Sequence, residues 1–335
     1  MESGLKELKN ESCISLQEVA GEQGKPREQA RLRRGGVLNP FVDWSFKYLF
    51  GTEQSKPNLM GFLNLLLMPK YPIVEIEFMN NESLPEEKSI KGCVFDILCK
   101  DTNGDRYLIE MQNNQVGNIV ERIVYYGCRL IDQMGQRGKE WNYGYIKKVY
   151  VICLMNFTYE ESPKLRRDIQ LCDIETNQQF SDKLNIIMLQ LPCLKAQSIE
   201  ECNEYYQKLL FLLQQMTTGM RTIEELKAEV AATDLPQETK EVFYQVLDTA
   251  DEASLSEKER IRYESNLKAY RDTMSCIKFA EARGEARGET RGEARGEAKS
   301  KLEIARSMKA EGIGAVIIAR CTGLSVEEIE KIEQY

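Results

Sequence analysis

The sequence predicts an α/β fold, a mixed β-sheet flanked by helices, followed by an all-α C-terminal region. Three observations carry that reading. Between residues 41 and 191, short β-rich runs alternate with stretches of helical spacing. Two of those runs, KVYVICLM at 148–155 and IIMLQL at 186–191, are almost continuously apolar, as strands covered on both faces are. Beyond residue 216 strand signals give way to helix-start signatures and charge-rich helical segments.

Taken in order, residues 1–36 read as a disordered basic and polar tail, with KPREQARLRR at 25–34. Residues 41–67 read as helical, broken near Gly51 and ended by Pro69. IVEIEF at 73–78 alternates as a strand, and a hairpin at 95–112 follows. Residues 118–133 show helical spacing, with Arg122, Tyr126 and Arg129 on one face. The two apolar strands complete a domain spanning 37–215. Residues 216–280 read as helical, 281–298 as a linker built on an EARG repeat, and 299–335 as a small helix-turn-helix-like tail.

The hairpin, FDILCKDTNGDRYLIEMQ, is the informative stretch. Gly104 takes a positive φ without steric cost, which a three-residue loop Thr102-Asn103-Gly104 needs at its third position. That loop pairs Cys99 with Tyr107, Ile97 with Ile109 and Phe95 with Met111, all on one apolar face. The other face pairs Leu98 with Leu108, Asp96 with Glu110 and Val94 with Gln112. A two-residue Asn-Gly turn slips the register by one and mixes apolar with charged residues on both faces.

The favoured register sets two carboxylates opposite each other. Like charges so placed are destabilising, and the pair persists when a cation sits between them or one keeps its proton. A hard divalent ion such as magnesium, held by one or two carboxylates and several waters, suits the first case. A polar hairpin face looking into water is the plain alternative.

Composition removes whole classes of chemistry. The chain has 335 residues and no histidine, which excludes Ser-His and Cys-His hydrolases and His-ligated metal sites. Ten cysteines without a C-x-x-C pair indicate neither a zinc ribbon nor a disulfide scaffold. No stretch has the length of a membrane span and no signal-peptide segment stands at the start, so the expectation is a cytoplasmic protein without membrane contact. The net charge of −8 argues against general nucleic-acid affinity. Local basic clusters (Lys139, Lys147, Lys148, Lys164, Arg166, Arg167) read as solvated surface, or as phosphate contacts if they flank the carboxylate face.

An acid in the second strand and an E-x-K variant in the third form the pattern of the PD-(D/E)XK nuclease superfamily. NPFVDWSFKYLFG at 39–51, FDI-C-D---G--Y-IEMQ in the hairpin and R---Y in the next helix resemble the Rpn group more specifically. That group comprises recombination-promoting nucleases, also described as putative transposases. The resemblance implies a restriction-endonuclease-like sheet and a magnesium-dependent DNA endonuclease acting in recombination or mobile-element transfer. It implies that Asp96 and Glu110 hold Mg2+ or another divalent cation, with the Met111 carbonyl and Asp43 as further contacts. Gln112 stands where the superfamily usually has Lys; it can orient a water or a phosphate but carries no charge. Lys47 is the candidate for the missing positive charge. Arg122 and Tyr126 are phosphate contacts on this reading, or packing against the sheet on the plainer one. A catalytically weak descendant that binds DNA or protein is the alternative function, and an interaction protein working through 216–335 a third.

Capping-box signatures stand at Thr222/Glu225, Ser254/Glu257 and Ser325/Glu328. The last helix carries four Glu against one Lys, the wrong sign for a DNA groove. The tail is therefore expected to serve interaction or homo-oligomerisation through the C-terminal helices.

Overall fold

A computed structural model describes residues 36–79, 96–114, 117–135, 141–159 and 163–332. The expected N-terminal tail (apart from Gly36), Lys139 and the pairs formed by Phe95 and Val94 lie outside them. The chain divides into two compact units, one ending at Leu267 and one beginning at Lys268.

In the first unit α1 (Asp43–Phe50) and α2 (Lys56–Leu67) precede β1 (Ile76–Phe78), β2 (Ile97–Asp101) and β3 (Arg106–Gln112). Then come α3 (Ile119–Asp132), β4 (Val149–Met155), β5 (Arg166–Cys172) and β6 (Gln179–Gln190). Helices α4 (Tyr205–Thr217), α5 (Ile223–Ala232) and α6 (Gln237–Thr249) follow, and α7 (Glu257–Ala310) begins. The six-stranded sheet runs in the order β1-β2-β3-β4-β6-β5. Its centre, β3-β4-β6, is parallel, and both flanks are antiparallel.

Local chemistry accounts for the elements that position the site. Asn39 accepts the Phe41 amide at 2.9 Å, turning the chain into α1, whose Phe46, Leu49 and Phe50 are buried. Helix α2 carries Pro57 in its first turn and stops at Met68, whose φ of 45° breaks the helix just before Pro69. A Cβ on Gly61 would stand 2.4 Å from Val242, so the glycine lets α2 and α6 approach closely.

Helix α3 covers one face of the sheet. Its Ile119, Ile123 and Leu130 pack with Leu98, Leu108, Val149, Val151, Cys153 and Leu184. Gly127 is the seat of that helix: a Cβ there would lie 2.6 Å from a Leu184 methyl. The opposite face, with Ile97, Cys99, Tyr107, Ile109, Ile152 and Leu189, is buried as well. The plain alternative, a hairpin face looking into water, is therefore excluded at Glu110, which is 3% exposed beneath this roof.

Several sequence expectations need correction. β5 was not anticipated: RRDIQLC is polar at its start and exposed along most of its length, as an edge strand is. β6 begins at Gln179 rather than 186, because its first half pairs with β5 beyond the core. β1 is only three residues long. The cap expected at Ser254/Glu257 falls two residues later, where Ser256 and Glu259 cap each other and α7 begins. The Thr222/Glu225 and Ser325/Glu328 boxes both form.

In the second unit the end of α7 meets α8 (Ala315–Thr322) and α9 (Val326–Glu330) around Ala305, Ile318, Ile329 and Ile332. Lys309 closes the bundle, its ammonium donating to the carbonyls of Ile329, Glu330 and Ile332 at 2.9, 3.0 and 2.8 Å. The EARG repeat lies within α7, exposed throughout. Its glycines cost about 1 kcal/mol each against alanine. Its like charges at four-residue spacing add roughly 0.2–0.5 kcal/mol per pair.

Candidate nuclease site

The site begins with the turn of the hairpin. Gly104 has a φ of 83°, and its amide donates to the Asp101 carbonyl at 3.0 Å. The Asp101 carboxylate accepts the amides of Asn103 and Asp105 at 2.9 and 3.0 Å, fastening the loop from within. The three-residue loop sets the register foreseen from sequence: Ile97 faces Ile109, Leu98 faces Leu108 and Cys99 faces Tyr107.

That register brings Asp96, just ahead of β2, beside Glu110. The Asp96 amide approaches Glu110 Oε1 at 3.4 Å, and Asp96 Oδ2 accepts the Met111 amide at 2.9 Å. Two protein cations hold the pair from either side. Lys47 Nζ, from α1, lies 3.5 Å from Asp96 and 2.8 Å from Asp43. Arg122, from α3, donates to Glu110 Oε2 at 3.1 Å, and the Gln112 amide reaches the same oxygen at 3.3 Å.

The expected residues thus form a chain, Asp43–Lys47–Asp96–Glu110, ending on Arg122 and Gln112, which runs from solvent into the core. The three acids do not converge. Lys47 stands between Asp43 and Asp96, and among the described residues no three side chains of ligand type gather into a metal group. Tyr126 lies beside Arg122, its ring centre 5.6 Å from the guanidinium carbon. Arg129 turns to Asp132 at 3.3 Å.

The electrostatics are those of a crowded anionic pair. Burial, and then the charge of Asp96, pushes Glu110 up from 4.5 to about 7, against the opposing pull of Arg122. Burial also raises Asp96, although the Met111 amide and Lys47 work the other way. Burial by itself would lower Lys47, but its bond to Asp43 and the charges of Asp43 and Asp96 outweigh that and raise it. Arg122 keeps one unused donor: its Nε is buried and makes no hydrogen bond.

Such a donor set fits a hard divalent cation. It offers two adjacent carboxylates, costly to ionise where they stand. The pairing of Arg122 with Glu110 was not foreseen; its only signal was the R---Y spacing on a helix returning over the hairpin. Arg167 also gains a meaning. Glu110, Cys153, Met188 and Arg167 are successive partners across four strands, so Arg167 shares the face of Glu110, roughly 14 Å away at ~4.8 Å per strand. Arg166 is engaged with Asp168 and the Leu66 carbonyl, and Lys148 with Asp182.

A mixed sheet with a parallel centre, an acid on each arm of an antiparallel hairpin and a helix returning over them define a restriction-endonuclease-like α/β domain. The sequence assigns the chain within that class. It belongs to the PD-(D/E)XK nuclease family transposases, whose family model matches residues 40–280. No curated protein and no solved structure gives a significant match.

Proposed function

We propose that this chain is a divalent-metal-dependent DNA endonuclease, of the kind the Rpn resemblance implies, hydrolysing phosphodiester bonds during recombination or transposition of mobile DNA. The observation that carries the proposal is the pairing of Asp96 with Glu110 at a buried hairpin, where each acid is raised in pKa. Mg2+ or a similar ion bound there supplies a Lewis acid for the phosphoryl oxygen and a water of lowered pKa.

The protein's own groups divide the remaining work. Asp96 and Glu110 hold the cation, and the Met111 amide fixes the Asp96 carboxylate. Gln112, anchored on Glu110, orients a water or a phosphate oxygen without contributing charge. Lys47 brings the positive charge that the third-strand position lacks, and Asp43 steers its ammonium. Arg122, partly exposed and tied to Glu110 through one terminal nitrogen, offers the rest of its guanidinium to a phosphate, with Tyr126 bracing it. The substrate is DNA and the setting is the cytoplasm; no helix among the described residues is long and apolar enough to cross a membrane.

A second reading, a catalytically weak module that binds DNA or protein, is favoured by Gln112 and by the protein cations already seated on both acids. Plasmid nicking with and without Mg2+ separates the two. The expected outcome is metal-dependent nicking that Asp96→Ala and Glu110→Ala abolish. Nicking that survives both substitutions refutes the site; DNA retention without cleavage in any divalent metal supports the second reading.

A further inference from the structure

The turn between α3 and β4 sets two aromatic rings at the surface and a third beside them. Tyr143 is 79% exposed and Tyr145 59%, and Trp141 stands edge-on to Tyr143 with ring centres 4.9 Å apart. The turn is stiff. The Asn142 side chain accepts the Gly144 amide at 2.8 Å, and the Ile146 amide donates to the Tyr143 carbonyl at 3.2 Å. Lys147 fixes its place. The Lys147 amide donates to Met134 Sδ at 3.3 Å, just past the end of α3, and a Cβ on Gly104 of the hairpin turn would stand 3.3 Å from the Lys147 side chain.

Helix α3 joins this turn to the acids. Near its start Arg122 reaches Glu110 at 3.1 Å; near its end the Leu130 carbonyl accepts Arg106 at 2.7 Å. The helix therefore runs antiparallel to β3, and its far end lies roughly 13 Å down that strand from Glu110, at ~3.3 Å per residue. Its flank carries the same chemistry as the turn. The Arg122 guanidinium carbon is 5.6 Å from the Tyr126 ring centre, which is 6.4 Å from that of Tyr125, a ring 43% exposed. Arg129 stands a turn further on, half-buried.

Rings alternate with cations along this path, the composition by which proteins hold unstacked bases and the phosphates between them. Residues 119–148 carry six Lys or Arg against three Asp or Glu, in a chain whose net charge is −8. We propose that the flank of α3 and the Tyr143–Tyr145 turn form a track for one DNA strand, leading a single-stranded segment away from the Asp96–Glu110 pair. The track rests on the nuclease reading of that pair and narrows its substrate to DNA with a single-stranded segment beside the cut.

The side chains favour this occupant over others. Duplex DNA keeps its bases stacked and offers mainly phosphates, so a surface serving it needs charge rather than exposed rings. Interface cores between proteins are depleted of Lys, whereas Lys147 and Lys148 follow the rings directly. The modest excess of cations also suits a single strand. Stacking supplies about tenfold in affinity per base, so fewer phosphates need a partner.

Fluorescence anisotropy of a labelled oligothymidylate, alone and annealed to its complement, tests this on the full chain in a chelator, where nothing is cut. Wild type is expected to bind the single strand more tightly than the duplex. Y143A/Y145A is expected to weaken single-strand binding by about a hundredfold, two rings at tenfold each, and to leave duplex binding unchanged. Y143F/Y145F keeps the rings and is expected to bind as wild type does, which a disturbed turn would not allow. Lys147→Ala is expected to make the salt slope of single-strand binding shallower by ~0.7. Equal binding of both DNAs by wild type overturns the track. So does single-strand binding untouched in Y143A/Y145A, the result if the turn docks a protein instead, or binding that Y143F/Y145F fails to keep. Metal-dependent nicking alongside any of these leaves the nuclease reading standing; a wild type that neither binds nor nicks DNA overturns both.

Discussion

Replacing Glu110 by Gln should make the metal-free protein more stable at neutral and alkaline pH while removing its cleavage. Glu110 is raised from 4.5 to about 7, first by burial and then by the charge of Asp96. At ~1.4 kcal/mol per pH unit that rise corresponds to about 3 kcal/mol. The folded chain binds this proton more tightly than the unfolded chain does, so the stability it contributes is complete below pH 4.5 and is lost as pH climbs through 7. Gln keeps the shape and never ionises. The stability difference between variant and wild type should therefore grow by about 3 kcal/mol between acid and alkaline pH. For a domain of this size that is roughly 6–12 °C in Tm. Thermal unfolding followed by circular dichroism across that range, in a chelator, is the assay. Magnesium should then raise the wild-type Tm at alkaline pH and leave Glu110→Gln unmoved. Parallel curves for the two proteins at every pH would refute the idea that the acid is held ionised at a cost, and with it the reason for a cation to bind.

Other outcomes follow from the same geometry. Lys47→Ala should reduce nicking by about a hundredfold or more, yet cost about 1 kcal/mol or less in stability, because its ion pairs are partly exposed. Adding Gln112→Lys to that variant should recover nicking, since the charge returns beside Glu110; equal rates for the single and double variants would count against Lys47. Arg122→Leu removes the cation that holds Glu110 down, so the acid limb of the pH–rate profile should move to higher pH; an unmoved limb breaks that link. Gly127→Ala forces a methyl against Leu184 and should cost about 1–3 kcal/mol by urea unfolding, with nicking reduced because α3 carries Arg122.

The hairpin was legible because a turn of three residues and a period of two leave few registers, and only one gathers Ile97, Cys99, Tyr107 and Ile109 on one side. The buried strands announced themselves for the same reason that they are buried, an unbroken apolar run. β5 did not, since an edge strand with exposed Gln170, Leu171 and Cys172 has no one-sided pattern to read. The site was half visible. The nearness of Asp96 to Glu110 is a local consequence of the turn. The roof over Glu110 is not local: it depends on where α3 returns, and that rests on Gly127 fitting against Leu184, a contact 57 positions apart that no periodicity encodes. Arg122 was therefore assigned a phosphate or packing against the sheet, whereas the structure pairs it with Glu110.

Cys153, next to Glu110 across β3 and β4, turns this roof into something measurable. It is fully buried, and burial together with the charge of Glu110 pushes its thiol up to about 12. A thiol so placed reacts with an alkylating reagent only when α3 lifts from the sheet. Its labelling rate is thus a native stopwatch for the opening of the roof, built into the wall of the site and requiring no introduced probe.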